Sequence, residues 1–158
     1  MIKYSFSNIG LSAIEHASEL ADLAEAGLHG VEVAPSRVWH DTWKGLKNLD
    51  VLSYRRQIEF AGLNVVGLHS LFFDQPNARM FGSPDSRKNA LEFLVHLSGV
   101  CRDLGGRTLI FGGGRHRGKI SLIEANRIAV DFVLEYIDRT ADHGTCLCFE
   151  PLGPVDAD

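Results

Sequence analysis

The chain has 158 residues, of which 45% are hydrophobic and 23% charged, with a formal net charge of −4. This composition is typical of one soluble globular domain that can bury its own core. The interspersed, weakly acidic charge argues against a nucleic-acid-binding or membrane-binding face. No apolar run approaches the roughly 20 residues that span a bilayer. We therefore expect neither nucleic acid nor membrane as a partner.

Two features of the sequence bear on the compartment. Residues 1–6 lack the apolar stretch and the small-residue cleavage site of a signal peptide. The chain has three cysteines, and two of them lie on a predicted strand with one residue between them. This odd number and spacing indicate free thiols in a reducing compartment. The sequence therefore predicts a cytoplasmic protein in which Cys146 and Cys148 are small core residues on one face of their strand.

Short apolar segments alternate along the chain with longer segments of helical periodicity. In chain order the predicted elements are a strand at Ile2–Phe6, a helix at Ser12–Ala26, a strand at Gly30–Val33, a helix at Leu52–Ala61, a strand at Asn64–His69, a helix at Ser86–Leu104, a strand at Thr108–Phe111, a helix at Ser121–His143 and a strand at Thr145–Phe149. Ser12 and Ser121 begin capping-box patterns. His16, His96 and His143 fall on helices, where we expect surface or cap positions.

Each predicted helix ends at a glycine that is followed by a short strand and a polar or glycine-rich exit. This pattern of helix, glycine, strand and exit repeats with a spacing of roughly 35 to 45 residues. Such a spacing suits successive βα units joined by right-handed crossovers in a parallel sheet. Periodicity leaves a barrel and an open sheet as alternatives. The glycine-rich exit follows the fourth strand and lacks G-x-G-x-x-G spacing, which argues against dinucleotide binding.

Polar residues follow the strands at their carboxyl ends, where an α/β barrel places its catalytic groups. Glu150 closes the fifth strand and precedes Pro151, His69 ends the third, and Glu32 lies near the end of the second. Each also has a structural alternative. Glu150 could bond to backbone or an arginine, His69 to backbone, and Glu32 to an arginine inside the barrel. Ser7 and Asn8 follow the first strand at the same mouth.

Two loops add candidate substrate contacts. Arg115 and Arg117 follow Gly112–Gly114, and flexible backbone N–H groups beside two guanidinium groups suit an anion such as a sugar phosphate. The alternative is a solvated basic loop. Trp39, after the second strand, could form an apolar wall over a sugar ring, or could pack its loop onto the barrel.

Four strand-end segments resemble the xylose-isomerase-like barrels, a superfamily of sugar isomerases, tagatose- and psicose-type 3-epimerases and endonuclease IV. The segments are Gly30-Val31-Glu32, Gly67-Leu68-His69, Leu109-Ile110-Phe111-Gly112 and Phe149-Glu150-Pro151. The resemblance implies an α/β fold, a (β/α)8 TIM barrel with a divalent metal (Mn, Mg, Co or Zn) at its mouth. Residues 1–158 would form a single domain, the N-terminal portion with about five βα units.

The resemblance also implies a function, a metal-dependent isomerase or epimerase of a sugar or sugar phosphate. Glu150 would bind the metal and move the proton, and His69 and Glu32 would contact substrate. The family's epimerases take their other ligands, Asp, His and Glu, from strands six to eight, so we expect the isolated chain to lack a full active site. The alternatives are a non-catalytic binding or assembly module and a zinc phosphodiesterase like endonuclease IV. The acidic net charge argues against the phosphodiesterase, as does the absence of a clear ligand histidine after strand four.

Five strands would leave two open edges, at the first and the fifth strand, and open edges invite pairing. Three explanations compete: a fragment of a longer protein, a truncated reading frame that folds with a partner, and a self-standing open domain whose edges pair in a dimer. Pro151 and Pro154 favour truncation. We expect a homo-oligomer that forms through the open sheet edges.

Overall fold

The computed structural model describes residues 2–12 and 15–151. Its five strands are β1 (Ser5–Ser7), β2 (Gly30–Val33), β3 (Asn64–Leu68), β4 (Thr108–Phe111) and β5 (Cys146–Phe149). The helices between them are α1 (Ala17–Glu25), α2 (Asn48–Phe60), α3 (Pro84–Leu104) and α4 (Leu122–Arg139), and 3-10 turns lie at Asn8–Gly10 and Pro35–Arg37. Among these described helices, none is long and apolar enough to cross a membrane.

The strands form one parallel sheet in the order β1-β2-β3-β4-β5. Every helix connects two neighbouring strands, so the chain advances in one direction, as in a barrel, and the strand order does not reverse as in a doubly wound sheet. This arrangement confirms the predicted α/β fold with a parallel sheet, part of a TIM barrel. The strands β2 and β4 have the predicted bounds.

The largest boundary error is at the start of α1. Ser12 was expected to cap this helix, but its backbone N–H and hydroxyl both donate to the Glu19 carboxylate, at 3.1–3.2 Å. The helix begins at Ala17 instead. Two residues of the predicted helix, 13 and 14, lie outside the described part of the chain. By contrast, Ser121 caps α4 as predicted, since its hydroxyl accepts the Glu124 N–H at 3.3 Å.

The core is built around α3, which buries nine residues against the sheet and the neighbouring helices. Phe93 of this helix is fully buried and packs against Trp43 and Phe72, with ring centroids 5.2 and 5.5 Å away. Phe72 also packs against Phe111 of β4. One aromatic cluster therefore joins α3 to the sheet and to the loops that leave β2 and β3.

The expectation that Cys146 and Cys148 are core residues is wrong. Cys146 is exposed and Cys148 is only partly buried. The physical reason is that, within residues 2–12 and 15–151, β5 has β4 as its one neighbouring strand, so residues that would be covered from both sides in a closed sheet are open here. The third cysteine, Cys101 of α3, is the buried one, and burial raises its pKa to about 12.

The expectation that His16 lies at the surface is also wrong, although it does occupy the N-cap position of α1. Its side chain is 1% exposed and makes no capping bond. The ring Nδ1 lies 2.7 Å from the Tyr54 hydroxyl and Nε2 lies 2.7 Å from the Ser12 carbonyl. His96 and His143 are partly buried and bond to the Thr42 carbonyl and the Ser98 hydroxyl. Tertiary contacts thus occupy all three rings.

Burial of His16 predicts a loss of stability in acid. Burial lowers the pKa of its ring and Arg37 lowers it further, and these effects outweigh the Ser12 carbonyl and the Glu19 carboxylate, which raise it. The unfolded chain takes up a proton near pH 6.5 and the folded chain only at lower pH. Stability from the neutral ring is therefore present above about pH 6.5 and is lost as pH falls towards the folded pKa.

We expect the unfolding free energy of the wild type to fall more steeply below about pH 6.5 than that of His16→Gln, by at most about 1.4 kcal/mol per pH unit. Urea unfolding at a series of pH values measures both slopes. Because His69 and His96 are retained in the variant, the difference isolates His16. Equal slopes would show that His16 is not the group responsible.

Candidate functional site

Side chains from four strands meet at the carboxyl edge of the sheet. Ser7 ends β1 and pairs in register with Glu32 of β2, and Glu32 is in turn opposite Gly67 of β3. His69 follows β3, and its backbone N–H donates to the Val33 carbonyl at 3.0 Å. The parallel register therefore brings the polar strand ends to one place.

Glu32 and Glu150 each lie within electrostatic reach of His69. Burial lowers the pKa of the His69 ring, and the Glu32 and Glu150 carboxylates oppose that shift. The sequence predicted these three residues for one site, and the structure places them at the same edge. Two carboxylates beside an imidazole can accept protons and hydrogen bonds from a polyhydroxylated ligand.

Two hydroxyl groups hold the His69 ring. Ser7 Oγ lies 2.6 Å from Nε2, and Ser70 Oγ lies 3.1 Å from Nδ1. Ser70 has a positive φ of 51°, a conformation that non-glycine residues seldom adopt. The sequence points to Ser7 at the mouth but not to Ser70, because no local pattern signals a serine with left-handed backbone. Ser70 directly follows a strand-end histidine, which was the one available cue.

Glu150 follows β5, and its backbone N–H donates to the Phe111 carbonyl at 3.2 Å. Its exposed side chain folds back over Gly112, where a Cβ would clash with the carboxylate oxygen Oε2 and lie 3.2 Å from the carboxylate carbon. The glycine after β4 therefore leaves room for this position of the carboxylate, and a Cβ there would make the flexible end of the Glu150 side chain shift. This steric role is independent of any backbone flexibility in the glycine-rich exit.

Arg115 ties the exits of β4 and β5 together. Its Nε donates to the Gly112 carbonyl at 3.0 Å and its Nη2 donates to the Glu150 carbonyl. The guanidinium carbon also lies 5.6 and 5.3 Å from the ring centroids of Phe111 and Phe149, in cation–π range. Burial lowers the pKa of Arg115, and the Glu150 carboxylate opposes this. The side chain thus orders the loop that carries Glu150.

The other two predicted substrate contacts have local partners. Arg117 Nη1 donates to the Ile120 carbonyl at 2.6 Å, within its own loop. Trp39 is partly buried, with its ring edge-on to Tyr54 of α2 at 5.8 Å. These contacts favour the structural alternatives, a self-contained loop for Arg117 and loop packing for Trp39. The phosphate and sugar contacts of Arg115, Arg117 and Trp39 stay predictions.

The donor set present does not complete a metal site. Within residues 2–12 and 15–151, no three His, Cys, Asp or Glu side chains are grouped closely enough to hold a metal ion. Glu150 offers oxygen ligands of the kind that Mn²⁺, Mg²⁺ and Zn²⁺ accept. A metal held by Glu150 would therefore need further ligands from outside the described residues.

Comparisons with known proteins agree with this architecture. A family model described as a xylose isomerase-like TIM barrel matches residues 20–158. Comparison with curated protein sequences gave no significant match. Several solved structures, however, share the fold.

A crystal structure of D-psicose 3-epimerase in the presence of D-fructose matches with a TM-score of 0.76 and 12% identity, over 98% of this chain and 54% of that chain. D-psicose 3-epimerase from Clostridium cellulolyticum H10, with D-tagatose, matches at 0.74 and 15%, over 98% and 54%. The IolI protein with a bound zinc atom matches at 0.65 and 16%, over 94% and 51%.

At these identities the likeness shows the fold alone. The chain spans about half the length of each of the three structures. The family model, in contrast, matches most of the chain, from the middle of α1 onwards. The chain therefore belongs to the xylose isomerase-like TIM barrel family.

Proposed function

We propose that the chain is part of a divalent-metal-dependent isomerase or epimerase of a sugar or sugar phosphate. The observation that carries the proposal is the position of Glu32, His69 and Glu150 at the carboxyl ends of β2, β3 and β5, where barrels of this kind place their chemistry. Membership of the family and the epimerases among the similar structures support it. The proposal treats residues 1–158 as a single domain in the cytoplasm, and the free cysteines support that location.

The proposed chemistry moves a proton next to a carbonyl group. Glu150 takes the proton from carbon and, in an isomerase, returns it to the neighbouring carbon. In an epimerase a second acid would deliver a proton to the opposite face of the same carbon, because return to the original face regenerates the substrate. His69 and Glu32 hold substrate hydroxyls, His69 through its ring or the serines around it and Glu32 as an acceptor. Arg115 holds the loop that presents Glu150. A bound divalent cation would polarise the substrate oxygens, with Glu150 as one of its ligands.

The proposal requires further metal ligands to complete the site, since the described residues supply one of them in Glu150. The edge strands β1 and β5 each have a single neighbour, and Phe149 beside the β5 edge is 47% exposed. Unpaired edges with apolar side chains favour pairing with another chain. We propose a homo-oligomer in which one copy adds to the β5 edge of another and brings ligands towards Glu150.

The test replaces Glu150 by glutamine, which keeps the shape of the side chain and removes its charge. Native mass spectrometry with manganese is expected to show stoichiometric metal in an oligomer of the wild type. Glu150→Gln should weaken manganese binding at least tenfold, or by about 1.4 kcal/mol. Glu25→Gln, at the exposed end of α1, is the matched control and should bind as the wild type does. Unchanged affinity in Glu150→Gln would contradict the role of Glu150.

A second candidate function is a non-catalytic binding or assembly module. The observation that favours it is that the described residues hold no complete metal cluster. The same manganese experiment separates the two, because a module would assemble without metal and would not convert a ketose such as D-fructose. The phosphodiesterase alternative is disfavoured by the acidic net charge and by the lack of a clear ligand histidine after β4.

A further inference from the structure

We infer that Ser7 and Ser70 are positioning residues that hold His69 in one tautomer, as a hydrogen-bonding group and not a metal ligand. The inference rests on the proposed function, because it gives His69 its part in sugar binding. In this role the hydroxyls of Ser7 and Ser70 determine which of the two His69 ring nitrogens carries the proton. A polyhydroxylated, uncharged part of the ligand would lie against this ring.

Ser7 sets the direction of the first hydrogen bond. Its Oγ accepts the backbone N–H of Ile9 at 3.2 Å and caps the 3-10 turn Asn8–Gly10. A serine hydroxyl has one proton and two lone pairs. One lone pair is engaged by the cap, and among the described residues the only acceptor within reach of the hydroxyl proton is Nε2 of His69, at 2.6 Å, so we assign the proton to that bond. Nε2 then accepts, which places the ring proton on Nδ1.

Ser70 completes the arrangement from the other side of the ring. Its Oγ lies 3.1 Å from Nδ1 and accepts the proton that this tautomer carries. Among the described non-glycine residues, Ser70 alone has a positive φ. Glycine would adopt this positive φ with less strain than serine does. What serine adds at this position, compared with glycine, is the hydroxyl group that contacts Nδ1 of His69.

The surroundings of His69 indicate which ligand group it would meet. The Glu32 and Glu150 carboxylates both act on the ring and would repel a phosphate at this end of the site. A neutral sugar hydroxyl can instead donate to a carboxylate and exchange hydrogen bonds with the serine hydroxyls around the ring. The His69 side of the mouth therefore suits the uncharged hydroxyls of the ligand.

The experiment measures the ring nitrogens of His69 directly, by ¹⁵N NMR of the whole labelled chain, with His69→Gln used for assignment. The wild type is expected to show the Nδ1–H tautomer. Ser7→Ala and Ser70→Gly should each change the tautomer ratio by roughly fivefold, the equivalent of one net hydrogen bond. Ser70→Gly should also melt at or above the wild-type temperature, because the variant relieves the strained backbone. Ser5→Ala, two residues before Ser7 on β1, is the control and should leave the ring unchanged.

Wild-type ring shifts in both Ser7→Ala and Ser70→Gly would overturn the inference, as would a zinc-induced coordination shift at either His69 nitrogen. If Ser7→Ala proves unstable, Ser7→Thr keeps the hydroxyl and should retain the wild-type tautomer, and Ser70→Gly still decides the matter. The readout needs no catalytic activity. Altered tautomers in a chain that neither binds manganese nor converts D-fructose would therefore uphold this inference while the proposed function fails.

Discussion

Replacing Phe93 by alanine is expected to lower the unfolding free energy by about 3–5 kcal/mol. The ring is fully buried on α3 and contacts Trp43, Phe72 and His96, with centroids 5.2 to 6.3 Å away. Its removal leaves a cavity where α3 meets the loops that leave β2 and β3. Urea unfolding followed by circular dichroism measures the change.

Phe60→Ala is the matched control for Phe93→Ala. It makes the same chemical change at the end of α2, where the ring is 96% exposed, so the cost should stay within about 0.5 kcal/mol. Comparable losses in the two variants would show that α3 is not the centre of the core. If only Phe93→Ala lowers the unfolding free energy, the aromatic cluster around Phe93 stabilises the loops that leave β2 and β3.

Replacing Gly67 by alanine is expected to cost about 3 kcal/mol by overpacking the sheet. Gly67 is buried on β3 directly opposite Thr108 of β4. An added Cβ would overlap the Thr108 hydroxyl and carbonyl oxygens and lie 2.9 Å from its carbonyl carbon. Because these atoms include backbone, the two strands must separate to relieve the clash. His69 lies two residues further on, so its contact with Ser7 should weaken as well.

The control for Gly67→Ala is Gly113→Ala in the exposed exit of β4. An added Cβ there would meet no atom within 4 Å, and the backbone has no positive φ. This variant should be neutral or slightly more stable, since alanine restricts the unfolded chain. Thermal unfolding and the His69 ¹⁵N shifts can be recorded on both proteins. An unperturbed Gly67→Ala would contradict the close approach of β3 and β4.

The sequence by itself determined the order and type of the elements and the strand-end positions of Glu32, His69 and Glu150. Glycine-bounded, β-branched segments gave β2 and β4 with correct limits, because both signals are local. Glu32, His69 and Glu150 could be placed at one edge because parallel strands present their carboxyl ends together.

Only the tertiary structure decided which side chains are covered and which polar groups meet. His16 is buried because Tyr54, 38 residues away, reaches its ring, whereas Cys146 is exposed because β5 pairs with β4 alone among the described strands. The backbone of Ser70 and its contact with His69 likewise have no local signal. Periodicity reports which face of an element is apolar, while burial and hydrogen bonding depend on what the rest of the chain brings against that face.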